Sequence, residues 1–166
     1  MSKPVVLVTG ANGEIGRSLL QTVAAHGGFE VITLDLDPSE RLTYKPGADA
    51  GWFPDFRVGA RFLGTPMAGK VRQLLANSQT FDFSPHEHSA DVVLIDADHT
   101  YPFVKQDTAA ALKIVRRGGV IIWDDYRWSA GHPECEGVTR CVEELASSRP
   151  CFQLAGTRLA VHVAED

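Results

Sequence analysis

Two kinds of apolar pattern alternate along this chain. The first is a short, β-branched and almost continuously apolar run, typical of a buried parallel strand. Runs of this kind occupy 4–10, 29–37, 91–98 and 120–126. The second places apolar residues at helical spacing, often before a Gly-Gly stop. Segments of this kind predict helices over 14–28, 101–119 and 136–148.

The remaining segments are less regular. Residues 38–69 contain four prolines and five glycines with weak periodicity, which predicts a long irregular excursion. Segment 70–78 fits either a strand or a short helix. Segment 151–163 has two alternating halves around Ala-Gly-Thr, which predicts a hairpin. Together the pattern predicts one α/β domain over 1–166, with a doubly wound, mostly parallel Rossmann-like sheet and a C-terminal antiparallel hairpin.

Composition narrows the function classes. The chain has 166 residues, of which 44% are hydrophobic and 22% charged, as in an ordinary globular protein. Its formal net charge of −5, without a Lys or Arg run, argues against nucleic acid or an anionic membrane as a partner. There is no membrane-span pattern and no signal-peptide pattern at the N-terminus. The three cysteines form no CxxC pair, so we expect reduced thiols in a cytoplasmic protein.

A glycine turn follows the first strand. The sequence "TGANGEIG" places Gly10, Gly13 and Gly16 between a strand and a helix, where backbone can approach a ligand closely. Asp35 comes 19 residues after Gly16, at the end of the second strand, where an acid accepts the hydroxyls of a ribose. We therefore predict a nucleoside-cofactor site here. The alternative is a plain strand-to-helix turn capped by Asn12.

Acids and a histidine follow two later strands. Asp96 and Asp98 stand at the end of the run 91–98 with His99 directly after it, and Asp124 and Asp125 stand at the end of the run 120–126. Ligands of doubly wound sheets bind outside the carboxyl ends of the strands, where these side chains are expected. Three carboxylates that leave open positions suit a hard cation such as Mg²⁺. The alternative is that these acids only cap helices and loops.

Two family resemblances divide the chain. The opening "VLVTGANGEIG" resembles the TGxxGxxG start of extended short-chain dehydrogenases and epimerases, which bind NAD(P). From about residue 57 onward the chain resembles class I S-adenosylmethionine-dependent methyltransferases. Within these it is similar to a sugar O-methyltransferase branch related to macrocin O-methyltransferase. The motifs that carry this are "GTP" (64–66), "TFDFSP" (80–85), "IDADHTY" (95–101), "VKQDTAAALKIVRRGGVIIWDDY" (104–126) and "GTRLAVHV" (156–163).

The methyltransferase resemblance implies a function and a set of site residues. The cofactor would be S-adenosylmethionine, contacted by the glycine turn, Asp35 and, at the adenine end, Asn77 and Ser78. The acceptor would be a small molecule with a hydroxyl group. A divalent cation, Mg²⁺ or another, would lie on the carboxylates, and His99 would be the general base. The cation ligands would be Asp96, Asp124 and Asp125.

Two other functions stay open. Tyr101 and Lys105 have the YxxxK spacing of a short-chain dehydrogenase, with Ser89 twelve residues upstream. However, Tyr101 directly precedes Pro102, which favours a helix-entry residue. The other is a non-catalytic nucleoside-binding domain. The strand at residue 4 comes without the helices that precede it in the methyltransferase family, which indicates a minimal or partner-completed form. The sequence leaves a homo-oligomer open.

Overall fold

A mixed β-sheet organises the part of the chain that the structure describes. The computed structural model describes residues 3–10, 18, 22, 28–37, 62, 64–65, 68–127 and 130–165. The strands are β1 Val5–Thr9, β2 Glu30–Asp35, β3 Val71–Leu75, β4 Ala90–Ile95, β5 Val115–Trp123, β6 Phe152–Gln153 and β7 Ala160–Val163. Their order across the sheet is β3-β2-β1-β4-β5-β7-β6. The undecided segment 70–78 is therefore mainly a strand.

The sheet is doubly wound, as predicted. Strand β1 pairs in parallel with β2 on one side and with β4 on the other, so the strand order reverses beside β1. The carboxyl ends of β1 to β5 consequently meet at one edge. At the far side β7 runs antiparallel to both β5 and β6, which confirms the predicted C-terminal antiparallel pair.

Apolar side chains pack against both faces of the sheet. Successive side chains of a strand point to opposite faces, so Leu7 belongs to one buried cluster while Val6 and Val8 belong to the other. Helices α1 (Tyr101–Ile114) and α2 (Glu136–Ala146) supply residues to the first cluster. At its centre Trp123 is fully buried, and its Nε1 donates a hydrogen bond of 2.9 Å to Thr108 Oγ1 on α1. This buried pair holds α1 against the end of β5.

Helix α1 is shorter than the sequence predicted. It ends at Ile114, not at Gly119, because Val115 already pairs with Ala90 of β4. The register then shifts, and pairing resumes with Val120 opposite Val92. Residues 116–119 form an irregular part of β5, in which Gly118 adopts a left-handed φ of 72°. The Gly-Gly pair at 118–119, which was predicted to end the helix, therefore lies in the irregular part of β5.

Several predictions fall on other parts of the chain. The predicted helix over 14–28 and the irregular stretch over 38–69 lie largely outside the described residues. The predicted helix over 136–148 is confirmed as α2, two residues shorter at its C-terminus. Among the described residues, no helix has the length and apolar character needed to cross a membrane.

Candidate active site

Three carboxylates converge at the ends of β4 and β5. The last residues of these parallel strands, Ile95 and Trp123, are paired, so the residues that follow them are neighbours. Asp96 follows β4, and Asp124 and Asp125 follow β5. One carboxylate oxygen from each of the three lies within 4.8 Å of the others. The predicted convergence is therefore present.

An unusual backbone conformation places the third carboxylate. Asp124 continues the strand and donates its N–H to the carbonyl of Ile95 at 3.2 Å. Asp125 then adopts a left-handed φ of 58°. Aspartate tolerates this region better than most residues, and such strain concentrates at functional sites. Both side chains are almost fully buried, so their charges are largely removed from water.

Burial and mutual repulsion raise the pKa values in this cluster. Burial chiefly raises the pKa of Asp96 to about 6, and the charges of Asp124 and Asp125 add to this effect. The pKa of Asp125 is also raised, first by burial and then by the charge of Asp124. Crowded carboxylates of this kind are neutralised by a proton or by a cation. The donor set, three acid oxygens, fits a hard divalent ion such as Mg²⁺.

His99 lies beside the carboxylates. Its Nε2 is 3.4 Å from Asp125 Oδ2 and 3.8 Å from Asp96 Oδ1. The Asp96 carboxylate chiefly, and then the Asp125 charge, raise the pKa of His99, against the opposing effect of burial. Asp98 is directed elsewhere, because its Oδ1 accepts the N–H of Thr100 at 2.8 Å just before α1. Asp98 therefore shapes the loop, whereas His99 is the group beside the cluster that can exchange a proton.

Arg158 contacts the same carboxylates and was missed by the sequence analysis. It lies in the turn before β7, and its Nε is 2.9 Å from Asp125 Oδ1 and 3.2 Å from Asp124 Oδ1. Its N–H is directed at Asp124, to which it donates a hydrogen bond. One guanidinium against three ionised carboxylates leaves two negative charges, which is the charge that one divalent cation neutralises.

Cys135 is a second residue that the sequence analysis missed. It is buried in the turn before α2, and its Sγ lies 3.8 Å from His99 Nδ1. Burial, together with the charge of Asp125, raises the pKa of this thiol to about 12, so the free thiol stays protonated. A lone cysteine 36 residues from His99 carries no sequence signal, and only the fold brings the two together.

The cofactor half of the edge begins at Gly10. This residue adopts a φ of 70°, and a Cβ there would lie 1.8 Å from the carbonyl oxygen of Asp96. Only glycine fits, so the end of β1 packs directly against the start of the acid-bearing loop. Thr9 strengthens the contact, since its Oγ1 accepts the N–H of Asp96 at 3.4 Å. The other predicted members of the glycine turn, Asn12, Gly13 and Gly16, lie outside the described residues.

Asp35, Asn77 and Ser78 lie along the same edge. Asp35 is buried at the end of β2 and pairs with Leu75 of β3, and its carbonyl accepts the N–H of Ala76 at 3.0 Å. Asn77 and Ser78 follow directly. The side chain of Asn77 accepts the N–H of Gln79 at 2.9 Å, which fixes a tight turn. The structure thus puts the predicted ribose and adenine residues on adjacent strand ends.

The dehydrogenase-like residues are not brought together. Ser89 precedes β4, whereas Tyr101 follows it, so the two lie at opposite ends of that strand. The Tyr101 hydroxyl donates to Glu144 Oε2 at 2.5 Å and accepts from Lys105 Nζ at 2.7 Å. These contacts join α1 to α2 on the exposed surface. Tyr101 and Lys105 therefore have a structural role and form no triad with Ser89.

Comparison with known families identifies the chain. The family described as a methyltransferase domain matches residues 7–126, most of the chain. The chain belongs to this family. Membership supports a class I, S-adenosylmethionine-dependent methyltransferase, and no dehydrogenase-like opening is supported by the match. No curated protein matches the chain at a significant level.

Solved methyltransferase structures share the fold at low identity. The CMeT domain of the citrinin polyketide synthase superposes with a TM-score of 0.64 at 16% identity, covering 99% of this chain and 47% of that one. MycE from the mycinamycin biosynthetic pathway, in complex with Mg, SAH and mycinamycin VI, gives 0.59 at 17%, covering 98% and 45%. A putative S-adenosylmethionine-dependent methyltransferase from Methanococcus maripaludis gives 0.57 at 13%, covering 100% and 80%. The chain thus spans less than half the length of the first two.

Proposed function

We propose that this methyltransferase domain transfers a methyl group from S-adenosylmethionine to a hydroxyl of a small molecule, assisted by a divalent cation such as Mg²⁺. The observation that carries the proposal is the convergence of Asp96, Asp124 and Asp125 at adjacent strand ends, with His99 beside them. MycE, which shares the fold, was solved with Mg and SAH together. Metal assistance and the hydroxyl acceptor are the parts that experiment must establish.

The cofactor is assigned to the ends of β1, β2 and β3. Gly10 keeps the end of β1 free of side-chain atoms, and Asp35 supplies acceptors for the two ribose hydroxyls. Asn77 and Ser78 follow β3 and would flank the adenine. Gly10 also touches the Asp96 backbone, so a cofactor held here lies next to the acids.

The cation is assigned to Asp96, Asp124 and Asp125. When bound, such a cation would lower the pKa of an acceptor hydroxyl and favour the alkoxide-like nucleophile. Arg158 contacts the Asp124 and Asp125 carboxylates and offsets one of their charges. It therefore acts as a positioning residue for the two ligands from β5.

His99 is assigned as the general base. Its imidazole would take the proton of the acceptor hydroxyl at Nε2, the nitrogen that faces Asp96 and Asp125. These carboxylates stabilise the resulting imidazolium, because they raise the pKa of His99. The base must start neutral, so turnover should increase as pH rises through the pKa of His99.

Calorimetric titration with cofactors tests the proposal most directly. S-adenosylhomocysteine, the demethylated product, should bind the folded chain, and NAD should not. Binding of NAD alone would reverse this assignment in favour of a dehydrogenase-like protein. Binding of neither would indicate a domain without turnover. Transfer of labelled methyl to a panel of hydroxyl-bearing acceptors then tests the reaction itself.

A further inference from the structure

We propose that Cys135, His99 and Asp125 form a second cation site, which overlaps the carboxylate site and takes a thiophilic divalent cation of the Zn²⁺ class. The inference about binding stands on geometry alone, whereas its consequence for turnover rests on the proposed function. A thiolate, an imidazole and a carboxylate make a ligand set different in kind from three acid oxygens.

One pair of the three ligand atoms is already close to the spacing that a tetrahedral ion requires, and the third atom lies nearby. Cys135 Sγ and His99 Nδ1 are 3.8 Å apart, and one atom from each of the three residues lies within 4.8 Å of the others. Zinc bonds of about 2.3 Å to sulfur and about 2.0–2.1 Å to nitrogen place two tetrahedral ligands roughly 3.6 Å apart. Small side-chain rotations therefore suffice to close the site.

The backbone around the site is held in place. The Cys135 N–H donates to the carbonyl of His132 at 2.9 Å, and Cys135 leads directly into α2. Two residues later a Cβ on Gly137 would lie 2.3 Å from the carbonyl oxygen of His99. The start of α2 thus packs directly on the loop that carries His99. This contact keeps the thiol and the imidazole together without a ligand.

Two buried polar atoms at the site have no hydrogen-bond partner among the described residues. One is His99 Nε2, and the other is Asp125 Oδ1, which forms an ion pair of 2.9 Å with Arg158 Nε. Buried polar atoms without a hydrogen bond are uncommon in folded proteins. The Asp125 oxygen belongs to the mixed ligand set, whereas His99 Nε2 faces the carboxylates of Asp96 and Asp125 and leaves Nδ1 as the nitrogen beside the thiol.

The two sites share a ligand. Asp125 belongs to both ligand sets, so an ion at one site competes for this carboxylate with an ion at the other. Magnesium prefers oxygen ligands, whereas zinc prefers sulfur and nitrogen. A thiophilic ion would also occupy His99, the assigned base. It would therefore inhibit methyl transfer while binding more tightly than Mg²⁺.

Cobalt titration of the chain, without methyl donor or acceptor, tests the site. Co²⁺ reports its ligands by absorption, because a coordinated thiolate gives an intense near-ultraviolet charge-transfer band. We expect that band in the wild-type protein, and we expect Zn²⁺ to abolish it by displacement. Cys135→Ser should lose the band and bind Zn²⁺ at least about 10–100-fold more weakly, the loss expected even when a supporting partner of a ligand is removed.

Matched thiols provide the controls. Cys141 and Cys151 are also free cysteines, and Cys141→Ser and Cys151→Ser should keep the band. A band that survives Cys135→Ser, or Co²⁺ bound without any thiolate band, would overturn the proposal. Retained Mg²⁺ binding by Cys135→Ser would show that this variant is folded. Since no turnover is measured, an inactive chain with an intact cobalt spectrum would contradict only the proposed function.

Discussion

The two halves of the strand-end edge are built on opposite principles. At β1 to β3 the site consists of backbone, one buried acid and a turn fixed by Asn77. At β4 and β5 three carboxylates, an imidazole and a guanidinium crowd together, and the pKa of Asp96 is raised to about 6. The first half is preformed for a neutral or polar ligand. The second half carries excess negative charge that a cation would neutralise. This contrast supports the proposal that the cofactor binds at β1 to β3 and that the chemistry takes place at β4 and β5.

The largest effect should come from removing the cation from the charged half. Methyl transfer should vanish in excess chelator and return with Mg²⁺ or Mn²⁺, because the acceptor hydroxyl then has no Lewis acid. Asp124→Asn and Asp125→Asn should weaken Mg²⁺ binding in calorimetry. Asp98→Asn is the matched control, since this acid lies in the same loop but bonds to Thr100. Full methyl transfer in excess chelator would contradict the metal assignment and would leave His99 as a base that acts without a metal ion.

Removal of the base should be the next largest effect. His99→Ala should slow methyl transfer by about 10²–10⁴-fold, the usual contribution of general acid–base catalysis. Mg²⁺ affinity and S-adenosylhomocysteine affinity should stay near wild type, because His99 is assigned neither to the Mg²⁺ ligands nor to the cofactor contacts. The increase of the rate with pH that the titration of His99 causes should also be absent from the residual rate. A variant with unchanged turnover and an unchanged pH profile would contradict the assignment.

A smaller effect is expected in the cofactor half. Asp35→Ala removes the proposed acceptor for two ribose hydroxyls and should cost about 2–3 kcal/mol of cofactor affinity, as for hydrogen bonds to a charged group. Asp35→Asn keeps the shape and one acceptor oxygen, so its loss should be smaller. Calorimetric titration with S-adenosylhomocysteine measures both. Equal affinity of a folded Asp35→Ala variant and the wild type would rule out the ribose contact.

The smallest expected effect is a change in the free energy of unfolding with pH, which arises in the charged half of the edge. The folded pKa of Asp96 lies above its unfolded value, so the folded state holds that proton more tightly and loses stability as pH rises. His99 and Asp125, whose pKa values are also raised, act in the same direction. In chelator, the free energy of unfolding should therefore fall by about 1 kcal/mol between pH 5.5 and pH 8.

Denaturant titration at both pH values provides the measurement and its controls. Asp96→Asn should flatten the decline, and Mg²⁺ should restore stability at pH 8 in the wild type but not in this variant. Burial raises the pKa of Asp107 on α1 to about 6 as well, so Asp107→Asn removes a similar contribution away from the cluster. Stability that increases from pH 5.5 to pH 8 would show that the carboxylates are not crowded in solution.

The sequence predicted the ends of the parallel strands better than it predicted the end of α1 and the turns that contact the site. Buried parallel strands carry their own signal, a continuous apolar run, and Asp96, Asp124 and Asp125 are placed by where those runs end. The end of α1 was predicted wrongly because Val115 continues the apolar spacing of the helix although it pairs with Ala90. Periodicity cannot separate a helix from the strand that follows it without a break.

Arg158 and Cys135 were not predictable for a different reason. Each lies in a turn. Arg158 is part of "GTRLAVHV", a segment that carries the family resemblance without a site role, and Cys135 belongs to no motif. Their roles depend on the antiparallel pairing of β7 with β5 and on the packing of α2 against the His99 loop. Contacts across such distances in sequence follow from the completed fold and not from local pattern.

The loop from Asp96 to Thr100 lies between two glycines that are far apart in the sequence. A Cβ on Gly10 would meet the Asp96 carbonyl at 1.8 Å, and a Cβ on Gly137 would meet the His99 carbonyl at 2.3 Å. For protein engineering, these two positions are therefore poor choices for randomisation, since any side chain displaces the base and a metal ligand together. A library intended to change acceptor preference should therefore leave both glycines untouched.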